Sequence, residues 1–362
     1  MPQPASKSSV VGRGAQEQPH NRFERVRAEA DFEHLEHDDV DVADRRRLAT
    51  EFLPDDSRSL ISENNSPDIP FRWSLNPYRG CEHGCAYCYA RPTHEYLGLS
   101  AGLDFESKIF VKYQAADLLR EELSRPKWRG EPIALSGVTD CYQPVERRLR
   151  LTRACLEVMR EARQPVMIVT KNALVARDLD LLSEMASRKT ADVSVSLTTL
   201  DAGLARVLEP RTSSPPARLR AITELTSGGV PVRAMIAPII PGLNDQEIPN
   251  LLRAAAEAGA AAASYILLRL PHAVLPIMRQ WLERNRPEAA PRIEAMIRST
   301  RDGRMNSAQF GERMRGRGSY AEQISQVFNV FRQKTGFDRA LPALDSSRFT
   351  RPRPKNGQLR LF

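Results

Sequence analysis

The sequence predicts an α/β fold built on a parallel sheet. From Phe71 onward, short apolar or β-branched runs alternate with helical patterns, recurring at intervals of roughly 25 to 60 residues, which is the mark of successive βαβ units. The strand candidates are FRWSL (71–75), PIALSG (132–137), PVMIVT (165–170), DVSVSL (192–197), VPVRAMI (230–236) and ASYILL (263–268), with KIFVK (108–112) as a short extra strand. Between them, residues 152–162 carry Cys155, Val158, Met159 and Ala162 at helical spacing, with Thr152 placed as the N-cap, so Cys155 reads as core. A second clear helix begins at Asp245 as its cap. It buries Ile248, Leu251, Leu252, Ala255 and Ala258 and stops at Gly259.

Around this core the chain divides by composition. Residues 1–50 are polar, charged and poor in aromatics, so they predict a disordered or loosely helical leader, closed by Arg45–Arg47. Residues 51–70 hold Pro54, Pro67 and Pro70 and predict an extended lead-in. The core runs over 71–305, and 306–362 form a basic extension. Within that extension QISQVFNVFRQ predicts an amphipathic helix able to cover an open side of the sheet.

At 41% hydrophobic and 27% charged residues the composition is that of an ordinary globular protein. No apolar run approaches the roughly 20 residues of a membrane span. The start MPQPASKSSVVGRG lacks an apolar signal region, and five cysteines, three of them clustered, do not form a disulfide framework. The expected compartment is a reducing one, a bacterial cytoplasm. The net charge of +8 is uneven: residues 301–362 hold thirteen Lys/Arg against five Asp/Glu, while residues 1–50 hold eight against ten. A basic end favours phosphate-bearing partners, or acts only as a solubilising tail.

The chemistry is concentrated in NPYRGCEHGCAYCYARPTHEYLG (76–98), where Cys81, Cys85 and Cys88 follow a C-x3-C-x2-C spacing. Three thiolates so close together converge on one soft metal centre, and they are one ligand short of a closed site. Gly80 and Gly84 allow the backbone to wrap tightly, and Tyr87 precedes the last cysteine. A structural zinc knuckle completed by His83 or His94 is the competing reading, and it gives a binding module rather than an enzyme.

CEHGCAYC resembles the cysteine loop of the radical S-adenosylmethionine (SAM) superfamily, and NPYRGCEHGCAYCYAR with SGVTDCYQPVE resembles the branch related to spore photoproduct lyase. The resemblance implies a partial (β/α)6 barrel with its chemistry at the carboxyl ends of the strands. It implies a [4Fe-4S] cluster on Cys81, Cys85 and Cys88 with SAM on the fourth iron, and Tyr87 beside the cofactors. Reductive cleavage of SAM then gives a 5'-deoxyadenosyl radical, with electrons from a flavodoxin or ferredoxin.

By the same resemblance Asp140, in GVTD where the superfamily often has Gly-Gly-Glu, binds the SAM amino group; a turn or cap aspartate is the alternative. Lys171 and Ser196 contact the ribose and methionine parts. Arg211 pairs with the SAM carboxylate, or locally with Glu209. The segment 237–244, APIIPGLN, packs on the adenine. Cys141 resembles a hydrogen-atom donor to a product radical, with a buried inert thiol as the alternative. GRGAQEQPHNRFE resembles a leader of this branch without an assigned chemical role. Gln358–Phe362, QLRLF, resembles the pentapeptide by which bacterial repair proteins bind the sliding clamp.

The expected function is therefore a radical SAM enzyme acting on DNA or another nucleic acid, with tRNA, a peptide or a small metabolite as alternative substrates.

Overall fold

The computed structural model describes residues 12–24, 48–338 and 340–353. The QLRLF tail, Arg45–Arg47 and much of the leader lie outside the described residues. The strands are β1 (Glu51–Pro54), β2 (Ile61–Glu63), β3 (Trp73–Leu75), β4 (Tyr78–Arg79), β5 (Lys108–Val111), β6 (Ile133–Leu135), β7 (Val166–Thr170), β8 (Ala191–Ser196), β9 (Val232–Ile239) and β10 (Ala262–Leu267). The helices are α1 (Leu103–Ser107), α2 (Ala115–Ser124), α3 (Glu146–Leu149), α4 (Leu151–Ala162), α5 (Leu179–Ser187), α6 (Ala202–Leu208), α7 (Pro215–Ser227), α8 (Ile248–Glu257), α9 (Val274–Asn285), α10 (Ala290–Ser299) and α11 (Ser319–Lys334).

The six core strand candidates form one sheet in sequence order, β3-β6-β7-β8-β9-β10, with every neighbouring pair parallel. β2 adds an antiparallel edge beside β3, and β10 is the opposite edge, so the sheet is an open, partial (β/α)6 barrel. No described helix is long and apolar enough to cross a membrane.

Strand alternation separates the two faces of this sheet. Val166 and Ile168, Val193 and Val195, and Val232, Ala234 and Ile236 pack into the main core with Leu156, Leu182, Ile222 and Leu251 from the helices. The intervening residues turn to the other, concave face. There Val169, Ser194 and Arg233 lie in one register row, and Ser196 and Met235 in the next toward the carboxyl ends.

Several local expectations change. The lead-in is not merely extended: β1 pairs with β5, and β2 pairs with β3. The buried carboxylate of Glu122 accepts the Leu60 and Ile61 N–H groups at 3.0 and 2.9 Å. KIFVK is a strand, but of a separate small sheet, β1-β5-β4. The 152–162 helix starts one residue earlier, at Leu151, after the left-handed Arg150. Thr152 is thus inside the first turn, its hydroxyl donating to the Cys141 carbonyl at 2.6 Å, while Cys155 is buried core as expected. Asp245 does not cap α8; it opens a preceding 3-10 turn, accepts the Gly242 N–H at 2.9 Å and also accepts the Tyr320 hydroxyl. α11 covers the β10 edge, with the Phe328 ring 4.6 Å from that of Tyr265.

The leader also departs from expectation. Residues 12–24 lie against the body, with Ala15 and Asn21 buried. The Asn21 side chain donates to the carbonyls of Glu95 and Leu99 at 2.9 and 3.2 Å.

One buried group on the concave face yields a stability prediction. Asp192 is buried with one carboxylate oxygen unpartnered. Burial pushes its carboxyl up to about 6, with Arg233 only partly opposing. A raised carboxyl favours the folded state at low pH, and that contribution is lost as pH rises from the unfolded value near 3.8 to about 6. Asp192→Asn removes the ionisation. It is expected to stabilise the protein by on the order of 2 kcal/mol at pH 7.5 and by little at pH 4. Thermal melts at the two pH values check this, and equal shifts at both would refute it.

Candidate metal centre and cofactor site

The cysteine loop crosses the carboxyl end of the sheet, held by backbone rather than by cross-links. All five cysteines are free thiols. The Cys81 N–H donates to the Phe105 carbonyl at 2.9 Å, Cys88 to Cys85 at 3.3 Å, and Ala86 to Leu208 at 3.1 Å. Gly80, at φ +83, is where the chain turns in; a Cβ there would meet the His94 ring at 2.8 Å.

Burial pushes all three loop thiols up. Backbone N–H groups work the other way, those of His83 and Asp140 on the Cys81 sulfur and those of Ala90 and Arg91 on the Cys88 sulfur. Buried thiols with N–H groups aimed at the sulfurs suit thiolates once a cationic group compensates them.

The histidines do not complete a zinc knuckle. His83 is buried with Nε2 3.2 Å from Asn172 Nδ2 and Nδ1 3.4 Å from Asp140. His94 has Nε2 2.9 Å from the Lys108 carbonyl, its ring edge-on to Phe105 and Phe110, and its Nδ1 without a partner. Burial pushes the His94 imidazole down to about 4, so it stays neutral at physiological pH.

Cys81 and Cys85 are buried and Cys88 is half-buried, all three as free thiols. A tetrahedral zinc with Zn–S bonds near 2.3 Å would hold its sulfurs only about 3.8 Å apart. In an iron–sulfur cubane each thiolate binds a different iron, so the sulfurs stand farther apart. The donor set of Cys81, Cys85 and Cys88 fits a cluster with one iron left open.

The strand ends bring the other expected residues to this loop. Asp140 follows β6, and its carboxylate accepts from Thr170 Oγ1 at 2.8 Å, the Tyr142 N–H at 2.9 Å and the Lys171 N–H at 2.8 Å. With His83 also facing it, this carboxylate ties β6, β7 and the cysteine loop together. That is the turn-aspartate role; an amino group reaching Asp140 must share these bonds. Lys171, after β7, reaches the Ala237 carbonyl at 3.3 Å and Glu209 at 3.8 Å, with its ammonium 5.8 Å from the Tyr87 ring centre. Ser196 ends β8 on the concave face, buried, its carbonyl accepting from Arg218 at 3.1 Å.

Arg211 has a different local partner from the one expected, and Cys141 is enclosed by the core. Arg211 does not pair with Glu209; it pairs with Glu82 inside the cysteine loop at 2.9 Å, and its N–H donates to the His83 carbonyl. Cys141 has no exposure. It packs in the main core beside Tyr142 and Cys155, in hydrogen-bond contact with the Ser136 and Thr152 hydroxyls. Burial pushes its thiol well up, and its place in the core is that of the buried-thiol alternative.

The residue that sequence reasoning underrated is Glu209. Fully buried, it accepts from Thr198 Oγ1 at 2.6 Å, from the Tyr87 hydroxyl, and from Arg218 at 2.5 Å. Burial raises its carboxyl, but Arg218 and Lys171 outweigh that and hold it down to about 2. Glu209 was visible only as the neighbour of Arg211. Arg218 lies seven residues farther on in a helix and carries no local signal.

The family model of the radical SAM superfamily matches residues 75–255, half of the 362-residue chain. The chain belongs to the radical SAM superfamily. This radical SAM protein is 39% identical over 236 residues to an uncharacterized protein of Mycobacterium tuberculosis, covering 65% of this chain and 69% of that one. It is 32% identical over 184 residues to an uncharacterized protein of Methanocaldococcus jannaschii, covering 51% and 66%.

Its fold is similar to that of spore photoproduct lyase. A tyrosine-to-phenylalanine variant of that enzyme superposes with a TM-score of 0.58 at 15% identity, covering 88% of this chain and 86% of that one. The complex of spore photoproduct lyase with dinucleoside spore photoproduct gives 0.56 at 15% identity, covering 78% and 79%. This radical SAM protein is an enzyme whose cofactors are a [4Fe-4S] cluster and SAM. Cys81, Cys85 and Cys88 would hold the cluster, and Lys171 and Ser196 stand at the carboxyl ends of β7 and β8.

Proposed function

We propose that this enzyme performs hydrogen-abstraction chemistry on a nucleic acid, as a repair-type lyase related in fold to spore photoproduct lyase, in a bacterial cytoplasm. Bound together, the cluster and SAM supply a one-electron reduction and a carbon radical able to take a hydrogen atom; a flavodoxin or ferredoxin is the reductant in this reading. The residues of the chain orient and enclose that chemistry. Asp140 and His83 brace the cysteine loop on β6 and β7, and Tyr87 with Glu209 braces it on β8.

The observation that carries the nucleic-acid reading is an arginine–aromatic surface beside Cys88. Tyr89 is exposed, with Arg269 of the β10 end 5.5 Å over its ring. Phe310 is also exposed, with Arg313 4.6 Å over its ring, and Arg269 and Arg313 are close enough to repel each other. Exposed rings offer stacking faces to bases, and Arg269 offers charge to phosphates, while Arg313 is paired with Asp68 at 2.5 Å and holds the Phe310 segment in place. The composition, at 6% aromatic, gave no hint of such a platform.

The reading is tested by 5'-deoxyadenosine formation from the reconstituted enzyme with SAM and dithionite. UV-irradiated DNA or dinucleoside spore photoproduct is expected to stimulate it, and Tyr89→Ala with Arg269→Ala to remove the stimulation. Equal turnover with intact DNA, tRNA or no nucleic acid would refute it.

The sliding clamp is proposed as a partner through Gln358–Phe362. Its support is the QLRLF string itself and a preceding segment docked on α2 and α4, where Arg120 donates to the Arg353 carbonyl at 3.0 Å. The tail peptide is expected to bind purified clamp at micromolar concentration, and no binding there would overturn the partner.

A further inference from the structure

The cysteine loop has a front, formed by the strand ends, and a back. The back is covered by the leader. Glu106, in α1 and fully buried, is the node between them. Its carboxylate accepts three successive N–H groups of the leader: Arg13, Gly14 at 3.2 Å and Ala15 at 3.3 Å. It also accepts from Arg91 at 2.8 Å. Arg91, equally buried, passes the contact on to the loop. Its Nε donates to the Cys85 carbonyl at 3.1 Å, and its Nη2 to the Gly84 carbonyl at 3.2 Å. One buried ion pair thus connects leader amides to the carbonyls of the central ligand and its neighbour.

The contact is close enough to dictate residue type. A Cβ on Gly14 would lie 1.8 Å from the Gly84 oxygen and 2.8 Å from the Ala86 nitrogen. Gly84, at φ +64, would in turn put a Cβ 2.5 Å from that of Arg13. Two glycines face each other so that leader and loop backbones touch. Arg13 then bonds Thr50, whose hydroxyl is 3.4 Å from the Glu82 carboxylate within the loop.

We infer that residues 12–15 are a strap belonging to the cluster-binding machinery, with Gly14 and Glu106 as positioning residues. The strap holds the Gly84–Cys85 turn from behind and closes that side of the cluster to water and chelators. The inference rests on the reading of Cys81, Cys85 and Cys88 as cluster ligands. Outer contacts of this kind orient metal ligands and tune the centre they hold.

The test is the rate of iron loss to a chelator from anaerobically reconstituted full-length chain, with the EPR spectrum of the reduced cluster recorded beside it. Gly14→Ala and Glu106→Gln are expected to speed iron loss by roughly 10-fold or more and to shift or broaden the EPR signal, with the far-UV circular dichroism unchanged. If Gly14→Ala fails to fold, Glu106→Gln, which keeps the side chain's shape, reads the same contact. Iron loss at the parental rate with an unaltered spectrum in a folded variant would overturn the strap. Failure of the parent chain to hold any cluster would instead overturn the ligand reading itself.

Discussion

Cys85→Ala is expected to abolish reductive SAM cleavage, lowering 5'-deoxyadenosine by at least about a hundredfold, since even changes outside a metal's own ligands cost roughly 10 to 100-fold. Cys85 is central in the loop. It is buried, its carbonyl is held by Arg91, and its neighbour Ala86 is bonded to Leu208. Those backbone contacts survive the substitution, so the variant should keep its fold while losing iron and acid-labile sulfide. Cys141→Ala is the matched control. Its thiol lies in the core, so the variant should lose some stability but retain the iron content and SAM cleavage of the parent. SAM cleavage that persists in Cys85→Ala, or a parent that binds stoichiometric zinc in place of iron, would sink the assignment.

Glu209→Ala is expected to cost about 3 to 5 kcal/mol of folding stability, because it strands the guanidinium of Arg218, 1% exposed, without its counter-charge. Urea unfolding of the cluster-free chain measures this directly. Replacing both partners with Met should recover much of the loss, since the penalty arises from an unpaired buried charge.

The same pair gives an acid limb. Glu209 titrates near 4.5 when unfolded and is held down to about 2 when folded. Its contribution, about 3 kcal/mol by linkage, is complete above the unfolded value and is lost as pH falls from about 4.5 toward 2. Glu209→Gln should flatten stability against pH in that window. An unchanged acid limb would show that Arg218 finds another partner.

Both predictions concern one device. The Tyr87 hydroxyl ends on Glu209, so the residue before the last cysteine is anchored to β8 and α7 through a buried charge pair. The aromatic of the cysteine loop thereby acquires a physical role: it couples the loop to the barrel.

The parallel sheet is legible in the amino-acid pattern alone, because period-two apolar runs and the helices between them are local patterns that leave one economical way to bury both. So are the three thiols, whose spacing is local, and the burial of Cys155 and of the Ile248–Ala255 face. What those thiols lean on emerges from the folded arrangement. Glu209, at the end of α6, meets Arg218 across the loop into α7, Glu106 meets Gly14 across 92 positions, and Arg211 turns to Glu82 instead of the nearby Glu209.

These are pairings of charge and backbone between separate elements, near or far in the chain, and no periodicity encodes them. The leader shows the same limit. Its polarity suggested disorder, yet a short polar segment is ordered when a buried carboxylate accepts its amides and glycines let it approach. Composition reports how much apolar surface a segment can bury; it does not report which buried acceptor is waiting for it.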